Sequence, residues 1–187
     1  MDDPRHFPSR RYQVLLLDPP WSYYGTTTGW GDAAKFYSLM SNEQIATLPV
    51  QDWLEPKHVV FLWATSPRMD TAIDTLRAWG LTFRGIAFTW VKTRKSDGKP
   101  IGAQGVRPSI VKPTTEYVIA ASAKKKGRPL PIADEGVPQV VLAPRGAHSQ
   151  KPETIQDRIE RLYPYASRAE LFARRRREGW DCYGDEI

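Results

Sequence analysis

Short, uninterrupted apolar runs constrain the fold of this chain most strongly. Residues 14–17 (VLLL) and 59–64 (VVFLWA) contain no polar side chain, and each run ends at a turn that contains proline. Such runs are typical of strands buried on both faces of a sheet. Shorter apolar segments at 86–92, 117–121, 140–142, 169–173 and 180–183 predict the other strands. A sheet buried on both faces requires a layer of helices on each side.

Three segments have helical patterns between these strands. Ser41 and Gln44 have the spacing of a capping box, which predicts a short helix ending near Pro49. Ser66, as cap, with Pro67 in the first turn, predicts a second helix that places Leu76 on its apolar face. A third helix is expected from Pro152, with apolar residues at Ile155, Ile159 and Leu162. Strands that alternate with helices predict an α/β fold with a mostly parallel sheet.

Chain length and composition favour a single domain in a reducing compartment. The 187 residues suffice for one buried core. The first residues, MDDPRHFPSRR, lack the apolar core of a signal peptide, and no apolar run reaches the length of about 20 residues that spans a membrane. Cys182 is the only cysteine, so no intrachain disulfide can form. We therefore expect a cytoplasmic protein. The three histidines and Cys182 show no metal-ligand spacing.

Positive charge is concentrated in one part of the sequence. The chain carries a net charge of +6, but residues 84–128 contain eleven Lys/Arg and two Asp/Glu, which gives +9 and leaves −3 for the rest. A basic segment on an otherwise acidic chain is typical of a surface that binds a polyanion. Lysine-rich loops that are simply solvated are the alternative.

The tetrapeptide Asp18-Pro19-Pro20-Trp21 follows the first predicted strand. Reactive groups of open α/β sheets lie at the carboxyl ends of strands, which is where Asp18 falls. A carboxylate and a proline carbonyl can together accept both hydrogens of an aromatic amine. Trp21 is expected to stack on the base that carries this amine. An ordinary turn followed by a core tryptophan is the alternative.

The order of motifs along almost the whole chain resembles the MT-A-seventy family of S-adenosylmethionine-dependent N6-adenine methyltransferases. This family includes eukaryotic mRNA adenosine methyltransferases and smaller bacterial and phage DNA enzymes. After DPPW, the matching motifs are Phe36-Tyr37-Ser38-Leu39-Met40-Ser41, Leu62-Trp63-Ala64-Thr65, Trp79-Gly80, Thr89-Trp90-Val91-Lys92-Thr93, Thr115-Glu116-Tyr117, His148-Ser149-Gln150-Lys151-Pro152, Glu170-Leu171-Phe172-Ala173-Arg174 and the segment from Gly179 to Glu186.

The resemblance implies a Rossmann-like methyltransferase three-layer sandwich, permuted so that the catalytic strand precedes the cofactor strand. It assigns catalysis to Asp18, Pro19, Pro20 and Trp21. It assigns binding of S-adenosylmethionine to Asp18, Lys151, Glu170, Arg174, Asp185 and Glu186. The last two are suited to accept hydrogen bonds from the ribose hydroxyls. The Gly-x-Gly common in other methyltransferases is absent, and four arginines at 174–177 stand there instead.

DNA is the expected polymer, because the chain contains no zinc finger or RRM for RNA. We expect one methyltransferase domain without a separate target-recognition domain, acting as a monomer or homodimer on flipped or single-stranded adenine. Loops 93–113 and 123–138 are expected to flank the catalytic face and contact the polymer, and the glycine-rich segment 25–31 to close over the site. The residues expected to bind substrate are Trp21, Tyr23, Tyr24, Trp30, Lys92, Arg94, Lys95 and Arg107, with His148 as a further candidate.

Three other functions stay open from the sequence. The chain could methylate RNA adenine, or it could methylate the amine of cytosine, which related enzymes do with a similar Pro-Pro-aromatic corner. It could also be a catalytically silent partner subunit that binds nucleic acid, although an intact DPPW argues against that role.

Overall fold

The computed structural model describes residues 7–21, 40–103, 110–146, 150–185 and 187. Within them lie seven strands: β1 (Tyr12–Leu17), β2 (Leu54–Thr65), β3 (Thr82–Thr93), β4 (Thr115–Ser122), β5 (Val140–Pro144), β6 (Arg168–Leu171) and β7 (Asp181–Tyr183). The three α-helices are α1 (Asn42–Ala46), α2 (Met69–Ala78) and α3 (Thr154–Leu162). Two short 3₁₀ turns, Val50–Trp53 and Ser66–Arg68, precede β2 and α2.

The seven strands form one sheet in the order β5-β3-β4-β2-β1-β6-β7. Four neighbouring pairs are parallel, and β4 runs antiparallel to both β2 and β3. This topology confirms the mostly parallel α/β sheet expected for a Rossmann-like methyltransferase. It also places β1, which leads into DPPW, directly beside β6, the strand expected to hold the cofactor.

Alternate residues of the central strands build a core on each face of the sheet, because successive side chains of a strand point to opposite faces. Leu15 and Leu17 of β1 pack in one core with Leu76 of α2. Val14 and Leu16 pack in the other core with residues of α3 such as Ile159. The two cores explain why residues 14–17 are uniformly apolar, and they give the sandwich its three layers.

The helix starts agree only partly with the sequence. Ser41 caps α1 as a capping box: its hydroxyl accepts from the Gln44 backbone N–H at 3.2 Å, and its own N–H donates to the Gln44 side chain at 2.8 Å. The prediction that Ser66 caps the second helix is wrong. Ser66–Arg68 is a 3₁₀ turn with no side-chain cap, and α2 starts only at Met69.

The direction of β4 separates the two basic loops. The parallel strands end at the edge of the sheet that holds Asp18, and we call this edge the catalytic end. Because β4 is antiparallel, it starts at the catalytic end and finishes at the opposite end. Segment 123–138, which joins β4 to β5, therefore lies away from Asp18. The prediction that both basic loops flank the catalytic face is wrong for this one.

In the other basic loop, residues 93–100 are joined by backbone hydrogen bonds. After β3, Arg94 N donates to Lys99 O at 2.9 Å, and Gly98 N donates to Arg94 O at 3.0 Å. Thr93 and Pro100 form an antiparallel bridge. Residues 93–100 therefore make a closed turn at the catalytic end.

Neither a membrane span nor a metal centre is found in the part of the chain that the structure describes. None of its helices has the length and apolar character to cross a bilayer. No three His, Cys, Asp or Glu residues of the same part lie close enough together to hold a metal ion.

Candidate active site

The DPPW corner is fixed by backbone hydrogen bonds on both sides of Asp18. Asp18 N donates to Leu171 O of β6 at 3.4 Å, which anchors the end of β1. Trp21 N donates to Pro19 O at 2.8 Å, and Met40 N donates to Pro20 O at 3.1 Å. Two prolines with fixed φ, closed by these bonds, hold the Asp18 carboxylate in a defined position at the catalytic end.

Asp18 belongs to a chain of alternating charges that extends from the end of β1 across β2 and β4 to β3. Lys151 Nζ lies 2.8 Å from Asp18 Oδ2 and 3.4 Å from Glu116 Oε2. The other oxygen of Glu116 lies 2.6 Å from Lys92 Nζ. Each ammonium therefore faces a carboxylate, and Lys151 is shared by two. We call Asp18, Lys151, Glu116 and Lys92 the charge cluster.

Burial and charge act in opposition on the pKa values of this cluster. Burial raises the pKa of Asp18, and the attraction of Lys151 opposes that rise. Burial also disfavours the charged form of Lys151, but Asp18 and Glu116 outweigh it and raise the Lys151 pKa. For Glu116, burial is outweighed by Lys151 and Lys92, so its pKa is lowered. Lys151 thus stays cationic throughout the neutral range.

The two ammonium groups of the cluster each lie over the ring of a tryptophan. Lys151 Nζ lies 5.2 Å from the centre of the Trp63 ring, and Lys92 Nζ lies 5.2 Å from that of Trp90. The two indoles meet edge to face at 6.2 Å, and Trp90 Nε1 donates to Ala143 O at 2.8 Å. Contact with an indole face stabilises each ammonium and limits the positions it can take.

Trp21 takes a different position from the one expected. Its side chain is buried in the core with Met40, and its Nε1 donates to the backbone oxygen of Trp63 at 3.3 Å. The tight turn at Pro19 directs the indole towards β2. The prediction that this ring is available for stacking on a base is wrong for the conformation seen here; Trp21 anchors the corner.

A cavity of about 240 Å³ opens beside Asp18 and Lys151. Its apolar wall comes from Leu16, Trp63, Ile155 and Phe172. The polar lining consists of residues of both charges and two amides: Asp18, Gln150, Lys151, Gln156, Glu170, Arg174 and Arg175. The structure thus brings together four residues that were expected to bind the cofactor: Asp18, Lys151, Glu170 and Arg174.

Glu170 is held in this cavity by α3. Gln156 Nε2 donates to Glu170 Oε2 at 2.5 Å, and Arg175 Nη2 donates to Gln156 Oε1 at 3.4 Å. Burial, reinforced by the negative charge of Asp18, raises the pKa of Glu170 to about 7. Near neutral pH the Glu170 carboxyl is therefore poised between its two protonation states.

The turn after β6 lacks the Gly-x-Gly pattern that other methyltransferases have in this loop. Phe172 has a φ of 61°, a left-handed conformation that is uncommon for a bulky residue, and its side chain lines the cavity. Opposite the next residue lies Gly184, where a Cβ would overlap the Ala173 carbonyl oxygen. The close approach of the loops after β6 and β7 therefore depends on Gly184, and the strain is borne by Phe172.

The remaining predicted residues lie elsewhere or outside the description. Lys92, Arg94 and Lys95 line a second cleft of about 600 Å³, which shares Glu116 with the charge cluster and also contains Arg145 and Gln150. Asp185 is exposed and does not line the cofactor cavity. Outside the described residues lie Tyr23, Tyr24, Trp30, Arg107, His148, Glu186 and segment 25–31.

Glu116 and Gln156 received no role from the sequence. A signal existed for Glu116, because it is one of only two acids in the basic segment and directly precedes an apolar strand, where a buried carboxylate needs a cationic partner. Gln156 gave no comparable signal, since polar residues at helical spacing are normally solvated. Only packing of α3 against β6 reveals that it is buried.

An acid at a strand end, facing a cavity with charged and apolar walls on a Rossmann-like sheet, is the arrangement of an S-adenosylmethionine-dependent methyltransferase. The comparisons with known proteins agree: the MT-A70 family model matches residues 12–186, and the chain belongs to that family.

Relatives come from bacteria and eukaryotes. The type II methyltransferase M.MunI of Mycoplasma sp is 30% identical, with 96% of this chain and 79% of that protein covered. The N(6)-adenosine-methyltransferase MT-A70-like protein of Drosophila melanogaster is 27% identical, with 95% and 27% covered. The N6-methyladenosine RNA methyltransferase MTA1 of Pyricularia oryzae is 28% identical, with 94% and 47% covered. The chain thus spans less than half of these two eukaryotic proteins.

The lining of the cavity fits S-adenosylmethionine, the methyl donor of this family. The carboxylates of Asp18 and Glu170 suit a ligand that carries an ammonium and a sulfonium, and Arg174 and Lys151 suit its carboxylate. The apolar wall formed by Trp63 and Phe172 suits the uncharged parts. The residues present therefore offer a side chain of opposite sign to each charge of the group.

Proposed function

We propose that this protein transfers the methyl group of S-adenosylmethionine to the N6 amine of adenine in DNA. The observation that carries the proposal is the Asp18 carboxylate, fixed at a strand end by Lys151 and opening into the cavity described above. DNA is favoured over RNA because the bacterial type II methyltransferase matches with higher identity and along more of its length than the adenosine methyltransferases.

The DPPW corner supplies the acceptors for the amine. The Asp18 carboxylate accepts one amine hydrogen and a proline carbonyl accepts the other. Pro19 O and Pro20 O each accept one backbone N–H already, and each carbonyl keeps a second lone pair. Drawing on both hydrogens returns electron density from the ring to the nitrogen, which is otherwise a poor nucleophile.

The donor supplies an electrophilic methyl group bonded to sulfur. As the nitrogen–carbon bond forms, the methyl–sulfur bond breaks and its electron pair stays on sulfur, which leaves as a neutral thioether. The amine nitrogen becomes cationic and more acidic, and Asp18 would accept the proton it loses. Lys151 favours the ionised form of the carboxylate and orients it before that step, since it lies 2.8 Å away and remains charged. We assign catalysis to Asp18. Pro19 and Pro20 supply the carbonyl acceptor and the rigid turn, and Trp21 anchors that turn in the core.

The second cleft is our proposed route for the polymer. Lys92, Arg94 and Lys95 line it next to Glu116, so a phosphate backbone lying there brings a neighbouring base to the charge cluster. An adenine inside a duplex must be flipped out to reach Asp18, unless the substrate is single-stranded. Tyr23, Tyr24, Trp30 and Arg107 remain predictions for this role, as do Asp185 and Glu186 for the cofactor ribose.

Further parts of the proposal concern organisation. We infer that the 187 residues form one methyltransferase domain, without a separate target-recognition domain within them, and that it acts as a monomer or homodimer. The lone Cys182, free in the structure, is consistent with the cytoplasm as its location.

Methyl transfer from labelled S-adenosylmethionine tests the function directly. The substrates are DNA and RNA oligonucleotides of the same sequence, single-stranded and duplex, and the product is digested and separated into nucleosides. We expect label in N6-methyladenine from DNA. Label found mainly in RNA would show that RNA is the substrate polymer, and label in cytosine would show that cytosine is the methylated base. Transfer to none of the substrates would favour a catalytically silent partner subunit.

A further inference from the structure

The end of the sheet opposite Asp18 carries a second set of positive charges. Arg84 lies near the start of β3, and residues 124–128 follow the end of β4 directly. We call Arg84, Lys124, Lys125, Lys126 and Arg128 the far-end patch. Ser122 is six positions after Glu116 along β4, which places this patch about 20 Å from the charge cluster at 3.3 Å per residue.

The far-end patch is held in one conformation by hydrogen bonds to two strands. Arg84 Nη1 and Nη2 donate to Lys124 O and Gly127 O at 2.8 and 2.5 Å, and Lys124 Nζ donates to Arg128 O at 3.2 Å. Ala123 N donates to His58 Nε2 of β2 at 3.2 Å. A rigid presentation of cations lowers the entropy that binding would cost.

The charge of the patch is largely uncompensated. Arg128 pairs with Glu135 at 2.7 Å, but the salt bridges found among the described residues include none to Arg84, Lys124, Lys125 or Lys126. Residues 124–128 are all exposed. Lys57 near the start of β2 is also exposed. Exposed cations without carboxylate partners are typical of surfaces that bind nucleic acid.

We propose that the far-end patch binds the phosphate backbone of the substrate polymer at a distance from the methylated base. This inference rests on the proposed function. At 3.4 Å per base pair, 20 Å corresponds to about 6 base pairs. The protein thus contacts a duplex at two places, the cleft beside Glu116 and the far-end patch, and only substrates that extend far enough from the target adenine reach both. Lys125 and Lys126 are the main phosphate contacts, because they make none of the hydrogen bonds that hold the patch together.

Substrate length provides the test. Binding is measured by fluorescence anisotropy on two DNA hairpins that contain the same target adenine at the middle of the stem, one with about 8 base pairs and one with about 24. Wild type should bind the long hairpin more tightly. Lys125→Ala/Lys126→Ala should lose about tenfold in affinity for the long hairpin and less than twofold for the short one. The loss of two phosphate contacts should also reduce the slope of log K against log[salt] on the long hairpin by about 1.8.

A control that removes the same number of charges is Arg11→Ala/Arg77→Ala, which replaces two exposed cations that do not belong to the far-end patch. It should affect both hairpins equally and weakly. Equal affinity of wild type and the lysine variant for the long hairpin would overturn the proposal, and would leave an acidic protein as the partner of the patch. An equal loss on both hairpins would overturn it too. Methyl transfer to the short hairpin, measured in parallel, tests the proposed function by itself, because neither lysine lies at the catalytic end.

Discussion

Lys151 Nζ lies 2.8 Å from Asp18 Oδ2, which joins the segment before α3 to the turn after β1. The pair is part of a larger balance, since Glu116 faces the same ammonium at 3.4 Å. An ammonium between two carboxylates stays charged, and a carboxylate beside a fixed cation stays oriented. Ion pairs within the chain therefore fix the position of the Asp18 carboxylate.

Asp18→Asn should remove most of the activity and leave the cofactor site nearly intact. The amide keeps the size of the side chain but offers N–H donors where the amine needs an acceptor. We expect kcat to fall by about 10²–10⁴-fold. The Kd for S-adenosylmethionine, measured by calorimetry, should rise far less, because Glu170, Lys151 and Arg174 still line the cavity. Asp74→Asn, an exposed carboxylate on α2 paired with Arg77, is the matched control and should retain full activity. A fully active Asp18→Asn would remove Asp18 from its role.

The Asp18 carboxylate should also make kcat fall at acidic pH. Burial raises the pKa of Asp18, and only the ionised form accepts an amine hydrogen. As pH falls through this raised pKa, the rate should fall, at a pH above the ordinary value of 3.8 for aspartate. A kcat profile from pH 4 to 9 checks the direction. A rate that stays level down to pH 4 would contradict an ionised Asp18 with a raised pKa.

Glu116→Gln should destabilise the fold by about 3 kcal/mol, because it leaves two ammonium groups without their shared carboxylate. Urea unfolding measures the loss. Adding Lys92→Met to this variant removes one of the uncompensated charges, so the double variant should regain part of the stability. If Glu116→Gln unfolds at the same urea concentration as wild type, the cluster contributes nothing to the free energy of unfolding.

The sequence predicted the central strands and the position of Asp18 because local patterns determine both. A continuous apolar run needs a buried strand, and a proline pair must end it. The direction of β4 is different, since strand pairing across the sheet decides it and no local pattern encodes that choice. This is why the 123–138 loop was expected beside Asp18. Likewise, the orientation of Trp21 follows from the hydrogen bonds of its turn, which residue types alone do not specify.

Within the site, the sequence identified residues that line the cavity better than it identified the residues that hold them in place. Lys151 and Glu170 follow from their places in the motifs, because chemistry restricts which residue types can serve there. Gln156 lies on a helix of ordinary amphipathic pattern, and only the packing of α3 onto β6 brings its amide to within 2.5 Å of Glu170. Residues that position others are thus set by tertiary contacts.

Glu170 should make the stability of the protein depend on pH. Its pKa is raised from 4.5 to about 7 in the fold, so the native state binds more protons than the unfolded chain between these values. Stability contributed by this group is therefore full below pH 4.5 and is lost as pH rises towards 7. Glu170→Gln removes the cost of burying the charge. It should raise the free energy of unfolding by up to about 3 kcal/mol at pH 8 and by much less at pH 5. Equal effects at both pH values would show that the Glu170 pKa is ordinary.

Gly184→Ala should break the contact between the loops after β6 and β7. A Cβ at this position would overlap the Ala173 carbonyl oxygen and lie 2.8 Å from Ala173 N, and backbone atoms cannot swing aside as a flexible side chain would. We expect a loss of at least about 2 kcal/mol in the free energy of unfolding, together with weaker cofactor binding, because Phe172, which lines the cavity, is next in sequence to Ala173. Gly102→Ala is the control, since nothing lies within 4 Å of a Cβ there. Chemical denaturation of both variants separates a steric clash from the general effect of replacing glycine. Only Gly184→Ala should unfold at a lower denaturant concentration than wild type. Equal unfolding midpoints for the two variants would show that the loops can move apart without a loss of stability.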